Sequence, residues 1–452
     1  MMPFRPAVAG VVWPAVVSVP GAALLSLLFQ LEQSQWLSPS ALAERQFQQL
    51  DVLAEFLWQA SAFYRERLSC AGWSPGQKLD ENAWRALPIL KRATVQSSRD
   101  QLAVESAPKA HGRLMEYSTT GSLGMPVKGL GNELTHLFAS VLIVRNHLWQ
   151  RRDLSGKFAA IRSKVASASL PDWGRVESAA FVTGPAAVLD ISTTIDRQLD
   201  WLGAEAPDYL LTHPSNLRSL LRRAREKAIS VPSLRELSTF GEMLPSDLRA
   251  LAREVWNLPV TDVYSSEEFG NIALQCPVHA ENYHIQSENL LVEIVDDSGA
   301  PCAPGETGRV LVSTLHNFTM PLLRYEIGDY AQAGASCACG RGLPVIGRIA
   351  GRRRNMLRLP GGRSHWPSFP YEDLKPISDF RQIQIIQHHI QDIEVRLAGL
   401  SPLDSATEKL FSAKLCELMH GQFSIRYSYP ELIAPSSGGK FEDFVSLVAD
   451  LD

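Results

Sequence analysis

Hydrophobic residues recur along the chain with two different spacings, which predict alternating helices and strands. Over residues 41–71, apolar side chains return every three or four positions, as on one face of an amphipathic helix. Further along, short apolar runs such as residues 260–264 follow helical stretches such as residues 245–256. Alternation of this kind favours an α/β architecture in which helices cover the sheets.

The pattern changes after residue 290. Residues 290–296 and 308–314 alternate like strands of a separate, more twisted sheet, and a turn rich in glycine and proline joins them. A basic cluster begins at Arg352, and the chain after it has its own strand and helix pattern. We therefore expect a large N-terminal domain over residues 1–350 and a small C-terminal domain over residues 351–452.

The N-terminal region contains an apolar stretch, residues 14–32, that is similar to a signal peptide or a membrane anchor. Pro14, Pro20 and Gly21 interrupt it, and a membrane span needs about 20 consecutive apolar residues. We therefore expect residues 1–45 to form a helical extension on the large domain of a cytoplasmic protein that does not bind membranes. The expected contact face consists of Leu24, Leu25, Leu27, Leu28 and Leu31.

Composition narrows the class of protein. The 452 residues leave room for about three domain equivalents, and a hydrophobic content of 45% excludes general disorder. Lys and Arg number 44 against 48 Asp and Glu, so a nucleic-acid protein that depends on a general basic field is not expected. Six cysteines in a chain of this length do not form a disulfide framework, and in a cytoplasm they are thiols or metal ligands.

A loop rich in hydroxyl side chains and glycine, STTGSLGMPVKG, occupies residues 118–129. Backbone amides and hydroxyls in such a loop can surround a phosphate, because glycine lets the backbone approach closely. No Lys-Ser/Thr pair follows the second glycine, so this is not a Walker loop. A purely structural turn is the alternative. The candidate nucleotide-binding residues are Ser118, Thr119, Thr120, Gly121, Ser122 and Gly124.

Two acids lie just beyond the predicted strand that ends at Tyr264, with Ser265 between them and the strand. They are Glu267 and Glu268, in the segment YSSEE. A carboxylate at the carboxyl end of a strand commonly faces the ligand crevice of an α/β sheet, where it could hold Mg²⁺ on nucleotide phosphates. The alternative is a solvated acidic pair at the start of a helix.

Three further segments carry single candidate residues. Asp329 follows a glycine at the end of an apolar strand in RYEIGDYA, which suits hydrogen bonds to vicinal sugar hydroxyls. Arg352 lies in the basic, hinge-like GRRR stretch, and Lys440 lies in the glycine-flanked turn GGKFEDF. A compact cation on such a turn could neutralise a phosphate or carboxylate in a transition state. For each of them the alternative is an ordinary solvent-exposed side chain.

The order of these segments resembles the acyl-adenylate-forming ligase superfamily, and most closely its phenylacetate–coenzyme A ligase branch. The order is a Ser/Thr/Gly loop, GE, Y-x-x-x-E, RY-x-x-GD, GR and GK, and the likeness extends from about residue 50 onward, including LPILKR at residues 87–92. The resemblance implies an α/β fold with a large N-terminal domain of layered sheets plus a small distorted β-barrel. It also implies a small, mobile α+β C-terminal domain that swings between two half-reactions.

The resemblance further implies an ATP-dependent enzyme that activates a carboxylic acid with Mg²⁺ and transfers the acyl group to coenzyme A. An aryl or cyclic acid is the substrate that it favours. The implied roles are adenine contact for Gly241 and Glu242, adenine stacking for Tyr264 with Ser265 beside it, Mg²⁺ binding for Glu268, ribose binding for Asp329, ribose or phosphate binding for Arg352, and charge neutralisation in adenylation for Lys440.

The chain also departs from the pattern of the superfamily. Its phosphate loop has Leu123 in place of a threonine and Met125 in place of a lysine, and its hinge has Arg354 where an acid is usual. Glu267 replaces a threonine or serine. Two alternatives therefore stay open: the same adenylation with an amine or a carrier protein as acceptor, as in secondary metabolism, or a degenerate nucleotide-binding protein without turnover. A homodimer is possible by analogy.

Four residues have the composition of a zinc site. Cys276 and His279 are separated by two residues, and Cys337 and Cys339 by one, with His284 as a substitute for His279. Thiolate and imidazole are the ligands that zinc prefers. Four unrelated residues are the alternative, and the resemblance implies a structural zinc ion.

Overall fold

The computed structural model describes residues 4–119, 126–367, 369, 371–433 and 441–448. Its helices are α1 (Val19–Ser34), α2 (Pro39–Ala60), α3 (Ala62–Cys70), α4 (Glu81–Ala86), α5 (Arg92–Ser97), α6 (Arg99–Leu102), α7 (Glu133–Trp149), α8 (Ile195–Glu205), α9 (Pro214–Lys227), α10 (Leu248–Trp256), α11 (Tyr371–Leu374) and α12 (Ser405–Leu418). Its strands are β1 (Leu114–Ser118), β2 (Lys128–Asn132), β3 (Phe158–Arg162), β4 (Ala168–Leu170), β5 (Ala186–Asp190), β6 (Tyr209–Thr212), β7 (Glu236–Phe240), β8 (Val260–Ser266), β9 (Gly270–Gln275), β10 (Tyr283–Ile285), β11 (Leu290–Val295), β12 (Thr307–Thr314), β13 (Tyr325–Ala333), β14 (Val345–Arg352), β15 (Leu357–Arg358), β16 (Ser364–His365), β17 (Gln382–His389), β18 (Asp392–Ala398), β19 (Ser424–Ser428) and β20 (Phe444–Ser446).

One 12-stranded sheet organises the large part of the chain, in the order β11-β12-β13-β14-β10-β9-β8-β7-β6-β3-β5-β4. Strands β5, β3, β6, β7 and β8 run parallel, whereas β4 and the strands from β9 to β14 pair antiparallel. Leu202, Leu217 and Leu251 of helices α8, α9 and α10 share a core with Leu210 and Leu237 of the parallel strands. The predicted α/β class is confirmed.

The predicted small barrel is not present as a closed barrel among the described residues. Strands β11 to β14 do form the antiparallel sheet that the alternating pattern indicated, but β14 pairs with β10 and thereby joins them to the main sheet. The sheet therefore keeps two free edges, β11 and β4. A sheet closes only when its edge strands pair with each other, which a strand pattern alone does not determine.

The N-terminal helix α1 packs on α7. Leu24, Leu28 and Leu31 are buried against a cluster that includes Val141 and Val144. Directly after Val144, the fully buried Arg145 donates to the Leu31 carbonyl oxygen at 2.9 Å and to both carboxylate oxygens of Glu288 at 3.1 Å. Within the described residues, no helix is both long enough and apolar enough to cross a membrane.

The C-terminal part has its own four-stranded sheet, in the order β19-β18-β17-β20. Helix α12 covers it, and Phe411 and Leu415 share a core with Ile385 and Val395. Strand β14 runs from Val345 to Arg352 and so spans residue 350, where the sequence suggested the end of the large domain. The division into domains stays a prediction.

Candidate active site

The carboxyl ends of strands β6, β7 and β8 lie side by side, because the strands are parallel and in register. His213 follows β6, Gly241 and Glu242 follow β7, and Tyr264 lies near the end of β8. Gly241 has a φ of +77°, in the left-handed region that favours glycine. The GE and YSSEE segments therefore meet at one edge of the sheet, which is where α/β proteins bind ligands.

Three of the predicted nucleotide-binding residues form one cluster at this edge. The Tyr264 hydroxyl donates to Asp329 Oδ2 at 2.8 Å, and Arg352 Nε lies 3.5 Å from Asp329 Oδ1. Asp329 and Arg352 face each other across the ladder of β13 and β14. Burial raises the pKa of Tyr264 well above its ordinary value, so its hydroxyl stays a donor. Ser265 follows Tyr264 beyond a β-bulge and pairs with Asn271.

The hydrogen bond between Tyr264 and Asp329 also shows that the sheet is strongly curved. Strands β9, β10 and β14 separate β8 from β13 in the strand order. Neighbouring strands lie about 4.8 Å apart, so a flat sheet would place β8 and β13 roughly 19 Å apart. A hydrogen bond of 2.8 Å between Tyr264 and Asp329 therefore requires the antiparallel part of the sheet to curl strongly over the edge of the parallel part.

The candidate phosphate loop is anchored at its base. Thr119 N donates to the Val127 carbonyl oxygen at 2.9 Å, and Val127 N donates to Thr119 Oγ1 at 2.8 Å, just beyond the last residue pair of β1 and β2, Ser118 and Lys128. The remaining candidate residues of the loop lie outside the described part of the chain. These are Thr120, Gly121, Ser122 and Gly124, together with the departures Leu123 and Met125.

Glu268 lies between this loop and the Tyr264 cluster. Its side chain is 5% exposed, and burial raises its pKa, an effect that the nearby Arg92 guanidinium opposes. Arg92 Nη1 is 3.7 Å from Glu268 Oε1, and Arg92 Nη2 donates to Thr119 Oγ1 at 3.1 Å. Arg92 was not among the candidate residues predicted from the sequence. A signal was visible in the sequence: Met125 stands where the resemblance implies a lysine, so another basic side chain near the loop could have been sought.

Glu242 connects the edge of the sheet to the C-terminal segment. Its carboxylate accepts from Ser215 N at 2.9 Å, from Ser215 Oγ at 3.1 Å and from Phe441 N at 3.1 Å. Burial raises the pKa of Glu242 to about 7. Lys440 lies outside the described residues, but Phe441 follows it directly in the chain. The segment after the candidate lysine is thus docked at the same edge as the other candidate residues.

An ion pair holds the same segment to the start of the C-terminal part of the chain. Arg354 Nη2 lies 2.5 Å from Glu442 Oε1, and Arg354 Nε donates to the same oxygen at 2.9 Å. Both side chains are largely buried, with 16% and 22% exposed. The arginine that replaces the usual acid at the hinge therefore binds the segment that follows Lys440.

Three cysteines and one histidine form a compact group away from this edge. The ligand atoms of Cys276, His284, Cys337 and Cys339 all lie within 4.8 Å of one another, so the group could hold a metal ion. His279, the histidine first expected here, is not a member. Its backbone N–H donates to Cys276 Sγ at 3.4 Å, while its imidazole lies 3.9 Å from Glu281.

The geometry of the group fits a tetrahedral metal ion. Two sulfurs bound to zinc at about 2.3 Å lie about 3.8 Å apart, and Cys276 Sγ and Cys337 Sγ are 3.8 Å apart. His284 Nε2 lies 3.3 Å from Cys339 Sγ, while its Nδ1 lies 3.3 Å from the Leu343 carbonyl oxygen, which favours the tautomer with Nε2 free for a metal. Burial lowers the pKa of His284 to about 4, so the imidazole is neutral at pH 7.

Solved structures of similar shape include coenzyme A ligases. A crystal structure of 2-hydroxyisobutyryl-CoA ligase in the postadenylation state matches with a TM-score of 0.71 and 15% identity, over 92% of this chain and 91% of that chain. The fold is therefore that of the acyl-adenylate-forming ligases. No family model matches the chain.

Two phenylacetate–coenzyme A ligases are similar in sequence. The protein from Thermus thermophilus is 25% identical over 334 residues, which cover 70% of this chain and 71% of that protein. The protein from Escherichia coli is 27% identical over 225 residues, which cover 47% of this chain and 50% of that protein. The resemblance inferred from the order of the motifs is confirmed.

Proposed function

We propose that the protein is an ATP-dependent, AMP-forming ligase that converts a carboxylic acid to an acyl-adenylate and then transfers the acyl group to coenzyme A. The observation that carries the proposal is the hydrogen bond from Phe441 N to Glu242. It brings the neighbour of Lys440 to the edge where Tyr264, Asp329 and Arg352 converge. The relatives named phenylacetate–coenzyme A ligase support the same reaction.

In the first half-reaction, a carboxylate oxygen of the acid attacks the α-phosphorus of ATP, and the bond from that phosphorus to the pyrophosphate oxygen breaks. The protein positions the reactants and neutralises charge, as in other phosphoryl-type transfers. Asp329 accepts hydrogen bonds from the ribose hydroxyls, and the Tyr264 ring packs beside the adenine. Lys440 supplies positive charge between the acid and the α-phosphate.

Glu268 would hold the Mg²⁺ that accompanies ATP, and the metal would neutralise charge on the phosphate oxygens. The carboxylate suits this role because it is 5% exposed and forms an ion pair with Arg92 at 3.7 Å. In the second half-reaction the coenzyme A thiolate attacks the acyl carbonyl carbon, and AMP leaves with the electrons of the broken carbon–oxygen bond.

An aryl or cyclic acid is the substrate class that we propose. Aromatic side chains lie at the expected acyl-binding edge, where the rings of His213 and Phe240 stack at 4.6 Å. Helix α7 passes close to the end of β8, since a Cβ added at Gly270, which pairs with Ser266 of β8, would lie 3.6 Å from Ala139 Cβ. The neighbouring Phe138 stacks on His316 at 4.0 Å. Aromatic rings such as these favour contacts with aromatic ligands.

We also propose that the cysteine and histidine group binds a structural zinc ion. Its four members come from the end of β9, from β10 and from the loop before β14, so the ion would tie the loop at residues 337–341 to the sheet. All four ligand positions of a tetrahedral site would be filled by protein, which is typical of structural zinc.

Lys440→Ala tests the assignment of the first half-reaction. We expect the variant to lose acid-dependent exchange of pyrophosphate into ATP by at least about 100-fold, the scale of an electrostatic catalytic contact. It should still convert a supplied acyl-adenylate and coenzyme A to thioester at near the wild-type rate. Lys414→Ala is the matched control, because Lys414 lies on α12 and pairs with Glu417 at 3.0 Å. Near-normal exchange in Lys440→Ala would overturn the role of the lysine.

The acyl acceptor needs a separate experiment. Coenzyme A, a phosphopantetheine-loaded carrier protein and hydroxylamine are each offered with ATP, Mg²⁺ and a panel of aryl and cyclic acids. Thioester formation with coenzyme A supports the proposal, and exclusive transfer to the carrier protein or to an amine contradicts the coenzyme A step. Pyrophosphate release that stays at the acid-free background with every acid would contradict the activity as a whole.

A further inference from the structure

Trp366 joins the C-terminal part of the chain to the large sheet. It directly follows β16, and its indole Nε1 donates to the Arg352 carbonyl oxygen, at the end of β14, at 3.1 Å. Its ring packs against Tyr330 of β13, with ring centroids 4.9 Å apart. In the ladder of β13 and β14, Tyr330 faces Gly351 directly beside the pair of Asp329 and Arg352. The indole therefore contacts the two strands that carry the candidate ribose-binding residues.

The indole also lies close to the segment that follows β7. A Cβ added at Gly351 would lie 3.7 Å from Trp366 Cδ1 and 3.7 Å from Met243 Sδ, so the two side chains approach the same glycine. Met243 directly follows Glu242, whose carboxylate accepts from Phe441 N at 3.1 Å. Trp366 is thus placed beside the segment on which the chain after Lys440 docks.

The chain after Trp366 enters the core of the C-terminal part. Phe369 is buried there and lies beside Phe444 of β20, with ring centroids 6.0 Å apart. Asn355 Nδ2 donates to the Phe444 carbonyl oxygen at 2.6 Å. Phe444 belongs to the same short segment as Phe441. The contacts of Trp366 therefore connect the large sheet to the core that holds the segment after Lys440.

We propose that Trp366 is a positioning residue for the first half-reaction, in which it holds the C-terminal part against the large sheet so that Lys440 can serve adenylation. The inference rests on the proposed function. The indole hydrogen bond and the ring contact with Tyr330 occur together with the docking of Phe441 on Glu242. A contact made in only one arrangement of a protein shifts the population toward that arrangement by the free energy of the contact.

The test compares the two half-reactions in variants of Trp366 in the full chain. Trp366→Phe keeps an aromatic ring but removes the N–H, so we expect acid-dependent exchange of pyrophosphate into ATP to slow by about 2- to 10-fold, the scale of one neutral hydrogen bond. Trp366→Ala also removes the ring contact and should slow exchange by about 10- to 100-fold. Thioester formation from a supplied acyl-adenylate and coenzyme A should not slow by more than about twofold in either variant.

Trp256→Phe is the matched control. The indole Nε1 of Trp256 also donates to a backbone carbonyl oxygen at 3.1 Å, that of Ile229, and both residues lie near the amino ends of β7 and β8, away from the candidate site. The control therefore loses an equivalent hydrogen bond. It should exchange pyrophosphate within about twofold of the wild type.

A double variant distinguishes positioning from a general loss of structure. If Trp366 acts by placing the lysine, Trp366→Phe should cause no further loss of the residual exchange in Lys440→Ala. A merely structural effect would lower exchange by the same factor in both backgrounds. Amide exchange gives a readout that is independent of activity: the Phe441 amide, which donates to Glu242, should exchange faster in Trp366→Phe than in the wild type or in Trp256→Phe.

The outcomes separate this inference from the proposed function. If the wild type exchanges no pyrophosphate with any acid, the proposed function is wrong and the inference falls with it. If the wild type is active and Trp366→Phe matches it, slows both half-reactions equally, leaves the Phe441 amide unchanged or keeps its full effect in Lys440→Ala, the role of Trp366 is wrong while the proposed function stands. Selective slowing of the first half-reaction, absent from the Lys440→Ala background and accompanied by faster exchange of the Phe441 amide, supports the inference.

Discussion

Replacement of His284 by alanine should abolish binding of the proposed zinc ion to the cysteine group, whereas the same change at His279 should leave zinc binding intact. Nε2 of His284 lies 3.3 Å from Cys339 Sγ, and in the described part of the chain this imidazole is the one that joins the three thiols. His279 contributes only a backbone N–H to Cys276 Sγ. The two histidines are five positions apart, so the variants are closely matched.

The size of the effect follows from the loss of one ligand out of four. A change beside a metal ligand lowers affinity by about 10- to 100-fold, so loss of a ligand itself is expected to lower it by about 1,000-fold or more. At a free zinc concentration about 1,000-fold above the dissociation constant of the wild type, loss of the bound ion lowers the free energy of unfolding by about 4 kcal/mol. The melting temperature should fall by several degrees.

The structure also indicates where the loosening begins. In the loop after Cys339, Arg341 stacks on Trp36 at 4.9 Å and on Trp149 at 4.5 Å, and Gly342 N donates to the Gln35 carbonyl oxygen at 2.9 Å. Loss of the metal should release this loop from the sheet and weaken its hold on the segment between α1 and α2. Amide exchange around Gln35 should therefore accelerate in His284→Ala.

The assay measures metal content by inductively coupled plasma mass spectrometry, together with thermal unfolding and amide exchange, for the wild type and both variants. We expect about one zinc ion per chain in the wild type and in His279→Ala, and much less in His284→Ala. A wild type purified with zinc in the medium that contains no metal would refute the reasoning. So would a full zinc complement in His284→Ala, or loss of zinc in His279→Ala alone.

Two further predictions concern stability. The pKa of Glu242 is raised from 4.5 to about 7, so the folded protein releases this proton at a higher pH than the unfolded chain does. The stabilisation of the fold by the protonated carboxyl group is therefore complete below pH 4.5 and is lost as the pH rises to 7. In urea unfolding between about pH 5 and pH 8, Glu242→Gln should lose less stability with rising pH than the wild type, by at most about 3 kcal/mol; equal pH slopes would contradict the burial argument. Gly342→Ala should destabilise the protein by about 2 kcal/mol or more, because the new Cβ would lie 1.7 Å from the Leu37 carbonyl oxygen. Gly203→Ala, in α8 with no atom near its Cβ position, should be neutral or stabilising in the same thermal unfolding assay, and equal melting temperatures for both variants would refute the clash.

Local sequence patterns predicted the α/β class, because the spacing of apolar residues depends on neighbours in the chain. The alternation of helices and strands needed only the spacing of apolar residues. Tyr264, Asp329 and Arg352 were named from short motifs and from the resemblance. Asp329 was expected at the end of a strand, but it lies in the middle of β13, where it is paired with Arg352 at the end of β14. Their roles toward a nucleotide stay predictions, but the structure brings them within hydrogen-bonding or ion-pair distance of one another.

The choice of histidine in the metal group shows where local patterns fail. The spacing of Cys276 and His279 is suited to a metal turn, but there the turn directs a backbone N–H, and not the imidazole, at the sulfur. His284 reaches the group because β10 pairs with β9 and with β14, opposite Leu274 and Val345. Strand register is a long-range property, so the sequence could name this histidine only as a substitute.

The sequence by itself determined the elements, their class and the motif residues, since turns, caps and apolar periodicity act over a few residues. Only the tertiary structure decided three things: that the antiparallel strands extend the main sheet without closing, that Arg92 lies beside Glu268, and that the Phe441 amide binds Glu242. These depend on how a sheet curls and which distant segments its edges meet. The underlying free energies come from burial and pairing across tens to hundreds of residues, which no local pattern encodes.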